Sequence, residues 1–169
     1  LLRQLRIDRD ALDLSEQLGS RVRFPGMDLR FTNDFEVLES SVASRFPGEI
    51  DAFRQLTDFV KQFDATNVHA GETAARPVLE SYIGDPLLLD MLLCPICYYG
   101  SARENDIDLA QFVILFRSLF LEGFARPYAG VRQVIRVLTR KYAELGGVRK
   151  MRRGVSKIET DGRRATGLL

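Results

Sequence analysis

Between Ile50 and Phe63 the apolar side chains fall at steps of three and four: Ile50, Phe53, Leu56, Val60 and Phe63. That spacing places all five on one face of an α-helix and commits the chain to burying that face against another element. Pro47 suits the first position of this helix, because its missing N–H would have had no partner there. The same spacing recurs after Pro127. There Val131, Val134, Ile135, Leu138, Tyr142 and Leu145 predict an inward helix face, with Arg132, Arg136, Arg140 and Lys141 facing out. Gly146-Gly147 predicts the end of that helix, since glycine enters the left-handed conformation of a C-cap without steric cost.

Elsewhere the period is two. Val22 and Phe24 alternate with arginines, Pro25-Gly26-Met27-Asp28 reads as a turn, and Leu29 and Phe31 alternate again, which predicts a hairpin. A strand near Gly154 to Thr160, an Asp161-Gly162 turn and a strand from Arg164 to Leu169 predict a second. Asn33 reads as the N-cap of a helix carrying Phe35, Leu38 and Val42, with Glu36 answering as in a capping box. Leu1 to Ile7 reads as the end of a helix. Further helices are expected from about Glu72, from Asp85-Pro86 through Leu93, and from Asp106 or Asp108 to about Leu121. The expected fold class is α+β, mostly helical, with β-hairpins forming a small antiparallel or mixed sheet.

At 169 residues, 46% apolar and 28% charged, the chain has the size and balance of one soluble globular domain. No apolar run approaches the roughly 20 residues of a membrane-spanning helix; the nearest, Phe112 to Phe124, is interrupted by Arg117 and Glu122. No secretory signal is visible, so a cytoplasmic location is expected. Charge is unevenly spread. Residues 1–125 carry 12 Lys/Arg against 20 Asp/Glu, and residues 126–169 carry 12 against 3. Such a split suggests two surfaces with different partners, or parts of a larger protein.

Cys94-Pro95-Ile96-Cys97 has the spacing of a redox or zinc motif. A zinc site wants about four ligands, and His69 is the one histidine, so no metal site is expected. A reactive thiol pair wants a helix N-terminus, whereas the apolar run Leu87 to Leu93 precedes Cys94 and puts it at a C-terminal end. Both cysteines therefore read as buried and structural. His69 has no evident acid, base or nucleophile beside it, and no catalytic residue is assigned. The basic cluster Arg149-Lys150-Met151-Arg152-Arg153 lacks the aromatic residues that stack on bases, so nucleic acid is not expected as a partner.

The order of features from Phe124 onward carries a family resemblance: Phe124-Ala125-Arg126-Pro127-Tyr128-Ala129-Gly130-Val131, a long amphipathic helix, Glu144-Leu145-Gly146-Gly147, then Arg153-Gly154-Val155-Ser156-Lys157-Ile158, Asp161-Gly162 and Ala165-Thr166-Gly167. It resembles the phytoene-desaturase and carotenoid-isomerase branch of the FAD-dependent amine-oxidase superfamily. More weakly, the hairpin at Val22 to Phe31, Asp34, Phe46-Pro47, Asp85-Pro86-Leu87 and Tyr98-Tyr99-Gly100 resemble that family's substrate region. Where relatives carry two adjacent glycines, this chain has Ala129-Gly130.

The resemblance implies a fragment of a two-domain flavoenzyme fold. Residues 1–130 would be the substrate-binding region, and residues 131–169 a helix and hairpin returning toward the flavin-binding domain. It implies FAD in the intact protein, and none held by this chain alone, because the Gly-x-Gly-x-x-Gly turn that binds the flavin pyrophosphate does not occur here. It makes Val155 and Gly130 candidate cofactor contacts, and Phe116, Phe120, Phe124 and Tyr128 candidates to line the channel of a long apolar, carotenoid-like substrate. The implied partners are that substrate, the rest of the chain and, peripherally, a membrane. Two alternatives stand beside it: an amine or protoporphyrinogen oxidase-type flavoenzyme, and a helical module docking on a membrane or protein through its basic C-terminal face.

Overall fold

The computed structural model of the chain describes residues 2–64, 73–99, 101 and 103–169; His69 and Gly100 lie outside the described residues. The fold class is α+β. In chain order come α1 (Leu2–Leu5), β1 (Leu14–Glu16), β2 (Ser20–Phe24), β3 (Met27–Phe31), α2 (Phe35–Arg45) and α3 (Ile50–Gln62). Then follow α4 (Ala75–Glu80), α5 (Pro86–Cys97), α6 (Leu109–Phe116), β4 (Ala125–Pro127), α7 (Val131–Glu144), β5 (Ile158–Asp161) and β6 (Arg164–Leu168). The strands do not join in one sheet: β1 pairs with β4, β2 with β3, and β5 with β6. By its contacts the chain divides into two compact units, Leu14–Arg126 and a second made of Leu1–Asp13 with Pro127–Leu169.

In the first unit, β2 and β3 form an antiparallel hairpin in which Val22 faces Leu29 and Phe24 faces Met27. The loop is only Pro25-Gly26, shorter than the four-residue turn expected, with Gly26 at φ 75°. Proline before a glycine of positive φ is the pairing that lets two residues reverse a chain. Leu29 and Phe31 point into the core. The cap of α2 is Asp34 and not Asn33: the Asp34 carboxylate accepts the Glu36 N–H at 3.0 Å. Asn33 is occupied elsewhere. Its carboxamide accepts the Phe124 N–H at 2.7 Å and donates to the Phe124 carbonyl at 3.0 Å. Gly123, at φ 79°, leaves the space this needs, since a Cβ there would collide with the Asn33 side chain.

Pro47 also differs from expectation. It lies in a turn closed by the Glu49 N–H on the Phe46 carbonyl at 2.9 Å, and α3 begins only at Ile50. Proline at the second turn position satisfies its fixed φ as well as a helix start would. The expected stripe on α3 is real, with Phe53, Leu56 and Val60 fully buried. Asp85 caps α5, accepting from Leu87 N–H at 2.8 Å and Leu88 N–H at 3.2 Å. Of the two aspartates proposed to open α6 it is Asp108 that does so, accepting from the Ala110 N–H at 3.0 Å.

After Phe116 the helix widens into a π turn over Arg117–Leu121, closed by the Glu122 N–H on the Arg117 carbonyl at 2.8 Å. The extra residue in that turn lets the adjacent Leu119 and Phe120 both enter the core. Phe120 meets Phe31 edge-on at 5.0 Å and Phe116 at 4.9 Å between ring centroids. The Arg117 guanidinium turns the other way and binds the last carbonyls of α3: Val60 at 2.9 Å from Nε, Lys61 at 3.1 Å and Phe63 at 2.6 Å from Nη2.

In the second unit, α7 packs on a one-turn 3-10 helix at Asp10–Leu12. Gln133 donates to the Ala11 carbonyl at 2.8 Å, and the Tyr128 N–H donates to the Asp13 carbonyl at 2.9 Å. Gly146, at φ 81°, ends α7 as expected. Gly147 N–H reaches the Tyr142 carbonyl and Gly146 N–H the Ala143 carbonyl, both at 2.9 Å, which is the Schellman pattern. The expected inward stripe is turned inward only in part, with Val134 and Leu138 half-buried. Val131, Ile135, Tyr142 and Leu145 are each more than half exposed, and on α7 only Val137 is buried. Leu5 of α1 borders that side, beside Leu138, Tyr142 and Leu145. The second hairpin forms with Gly162-Arg163 as its loop, not Asp161-Gly162, because Gly162 takes the positive φ of 60° at the first loop position.

No helix among the described residues is long and apolar enough to cross a membrane. The Arg117 contacts yield the first prediction. Arg117→Ala strands three helix-end carbonyls and should lower unfolding free energy by about 1.5–3 kcal/mol, the range for a hydrogen bond to a charged group, in urea titration followed by circular dichroism. Arg54→Ala, which breaks only exposed ion pairs to Glu39 and Asp51, should leave the midpoint where it is.

Candidate functional site

A recess of the first unit with a mostly apolar lining lies where the β2–β3 hairpin meets the end of α5 and the π turn, a cleft of about 360 Å³. Three local rules build it. Alternation on the hairpin turns Val22 and Phe31 toward the cleft while Arg21 and Arg23 stand at its rim. Pro95 lacks an N–H, so α5 is weakened near its end, and Tyr98 and Tyr99 leave the helix there into solvent. Their rings cross edge-on at 6.3 Å. The π turn supplies Leu119, and Phe124 follows, held by Asn33. Arg21 is committed to Asp28 at 3.2 Å, and Asp28 is shared with Arg45 at 3.0 Å.

Cys94 stands between this cleft and a second, more polar one of about 700 Å³. The second is organised by Arg76, which donates from Nη2 to Asp90 at 2.8 Å and from Nε to the Asn105 carbonyl at 2.9 Å. Asp106 accepts two backbone N–H groups, from Arg76 at 2.9 Å and Ile107 at 2.8 Å. Cys97 points its thiol toward the Asp106 carbonyl at 3.9 Å. Burial pushes the Cys97 thiol pKa up, and the nearby Asp106 charge adds to this, with Arg76 opposing. The thiolate is therefore disfavoured at neutral pH.

The sequence reading of the cysteines needs correction. Both lie in the last turn of α5, as expected, but Cys94 is exposed and Cys97 half-buried. They are i and i+3 on a helix, so they share a side; that side borders the two clefts, while Leu92, Leu93 and Ile96 take the core. Among the described residues no group of three or more His, Cys, Asp or Glu is placed to hold a metal ion.

The channel candidates are placed differently from one another. Phe124 borders the first cleft, half-buried. Phe116 and Phe120 are fully buried in the core behind it. Tyr128 belongs to the second unit and is 83% exposed. Of the two flavin candidates, Gly130 is the N-cap of α7 at φ 74°, with open space on its Cβ side. Val155 is exposed and precedes the strand on which it was expected; β5 starts at Ile158. Leu169 accepts the N–H groups of both Ser156 and Lys157, at 2.7 and 3.4 Å.

Sequence reasoning did not single out Arg21, Arg23, Cys94, Pro95 or Leu119 as cleft residues. One signal was present: arginines alternating with the inward residues of a strand, and two tyrosines directly after an apolar helix, are polar-tipped groups at the edge of a core. Comparison with known proteins found no matching family model, no matching curated protein and no matching solved structure.

In the folded protein at neutral pH, a soluble maleimide should modify Cys94 first and Cys97 much more slowly. Raising the pH past the ordinary thiol range should be needed to bring Cys97 up. Peptide mass spectrometry over time reads both rates, and equal labelling at neutral pH would contradict the placement of Cys97.

Proposed function

We propose that this chain is the substrate-binding segment of an FAD-dependent oxidoreductase of the phytoene-desaturase and carotenoid-isomerase type, acting on a long apolar substrate. The supporting observation is the cleft bordered by Phe124, whose floor of Val22, Phe31, Pro95 and Leu119 is apolar and whose lining contains no carboxylate or histidine. Such a recess is suited to holding and drying a hydrocarbon. The order of features from Phe124 to Gly167 is the second support.

In this reading the chain does not hold the flavin by itself. A pyrophosphate wants several converging N–H groups from a glycine-rich turn at a helix start, and this sequence has no such motif. Gly130 and Val155 offer backbone only. In this reading the cofactor is bound by other residues of the intact protein, where it would accept the hydride equivalent, and this segment orients the substrate and excludes water.

Tyrosine fluorescence tests the reading directly, because the chain has no tryptophan and Tyr98 and Tyr99 border the cleft. A conjugated polyene should quench it saturably, and Phe124→Ala should weaken that binding by about tenfold, the equivalent of about 1.4 kcal/mol. Phe120→Ala, in the core, should instead cost about 3–5 kcal/mol of stability. Absence of saturable quenching, or Phe124→Ala binding like wild type, would overturn the proposal. Free FAD should not stay with the chain through gel filtration. The reading frame encoding the chain should also contain a Gly-x-Gly-x-x-Gly motif within about 100 residues upstream, at the first strand of a dinucleotide-binding unit.

A further inference from the structure

We propose that Cys94 and Cys97 form a thiol–disulfide exchange site: Cys94 attacks a small disulfide without negative charge, and Cys97 closes onto it to leave an intramolecular bond. The proposal is independent of the flavoenzyme reading and rests on the way the end of α5 presents the pair. Both cysteines lie in the last turn of that helix, and both line the polar cleft of about 700 Å³. Cys94 is exposed and Cys97 half-buried. One thiol therefore meets an incoming molecule, and the other stands behind it on the same side of the helix.

The two thiols are within reach of each other. Residues three apart on a helix have Cα atoms about 5 Å and Cβ atoms about 5–6 Å apart. A disulfide takes Cα atoms about 4.4–6.8 Å and Cβ atoms about 3.5–4.5 Å apart, so the turn has to tighten by about 1–2 Å. Little resists that. Pro95, between the two, has no N–H to give to the helix ladder. The Tyr98 N–H on the Cys94 carbonyl and the Tyr99 N–H on the Ile96 carbonyl are both 3.2 Å, at the long end of the ordinary range. The contact that Cys97 gives up is weak, 3.9 Å from its thiol to the Asp106 carbonyl. That carbonyl keeps the Ser101 hydroxyl as a donor when the thiol leaves.

The exchange balances without a further oxidant. The Cys94 thiolate bonds to one sulfur of the small disulfide, whose S–S bond breaks and whose other half leaves as a thiolate. Cys97, deprotonated, then attacks the Cys94 sulfur and expels the second half. The chain loses two electrons, the small disulfide becomes two thiols, and the cysteine protons end on the leaving thiolates. Charge selects the disulfide. Asp90, Glu104 and Asp106 line the cleft against Arg76, and Arg76 is itself engaged by Asp90 at 2.8 Å. A soft metal ion is the other ligand a cysteine pair suggests, but among the described residues no group of three or more His, Cys, Asp or Glu is placed to hold one.

Cystamine, a cationic disulfide, tests the proposal on the reduced chain, with acid quenching and mass spectrometry over time. The wild type should pass through a cysteamine adduct on Cys94 to a chain lacking both thiol hydrogens, with Cys94 and Cys97 joined in one peptide. Burial pushes the Cys97 thiol pKa up, with Asp106 adding and Arg76 opposing. Closure should therefore be the slow step, and it should speed by about tenfold per pH unit until that thiol is ionised. Cys97→Ser should trap the adduct on Cys94, whereas Cys94→Ser should take up cystamine about tenfold more slowly or less. Both variants should keep the native circular dichroism. A wild-type adduct that never closes, equal uptake by the two variants, or disulfides formed only between chains would overturn the proposal. So would a closure rate that does not change with pH.

Discussion

Arg117 ties the end of α3 to the start of the π turn. The last turn of α3 leaves carbonyl groups without partners, and a helix end buried in that state is costly. One planar guanidinium answers Val60, Lys61 and Phe63 together. The positive charge also meets the negative end of the helix dipole. Because Arg117 begins the π turn, the same contact fixes where that turn sits, and so where Leu119, Phe120 and Phe124 point. The core aromatic cluster and one wall of the cleft follow from a polar contact between segments some 55 residues apart.

Much of this was legible in the sequence because period is a physical signal. The α3 stripe, the capped start of α5 and the hairpin at 20–31 came from spacing that only one kind of element can bury. The misreadings have a common cause in that one residue type serves two local needs. Asn33 and Asp34 both suit an N-cap; the cap went to Asp34 because Asn33 binds Phe124, a partner 91 residues away that no local pattern reveals. Pro47 suits both a helix start and a turn. Pro25-Gly26 and Gly162-Arg163 reverse the chain in two residues, a difference set by which glycine takes the positive φ. For the site, the sequence pointed to an aromatic run, but only Phe124 of that run borders the cleft: Phe116 is buried at the end of α6, and Phe120 enters the core from the π turn.

The two units bury their residues very unequally. Among described residues the buried apolar side chains belong to the first unit, apart from Leu12 and Val137. The first unit therefore has the apolar burial on which small domains depend. The second relies on local devices: the Schellman end of α7, the Gln133 bond and the Tyr128 bond. Its β5–β6 hairpin is exposed along nearly its whole length, and an isolated pair of strands is marginal in water.

The π turn has an evolutionary consequence. A turn closed from Glu122 back to Arg117 holds one residue more than an ordinary helical turn, so the chain beyond it is offset by a single position. Loss of one residue there would restore regular helix, swinging everything that follows by about 100° and drawing it back by about 1.5 Å. Phe124 would leave the cleft, Gly123 would no longer lie beside Asn33, and the Asn33 carboxamide would lose both of its backbone partners. Lineages carrying this chain can thus be expected to vary in residue identity across 117–123 but not in residue number, whereas the exposed Gly162-Arg163 loop is free to grow or shrink.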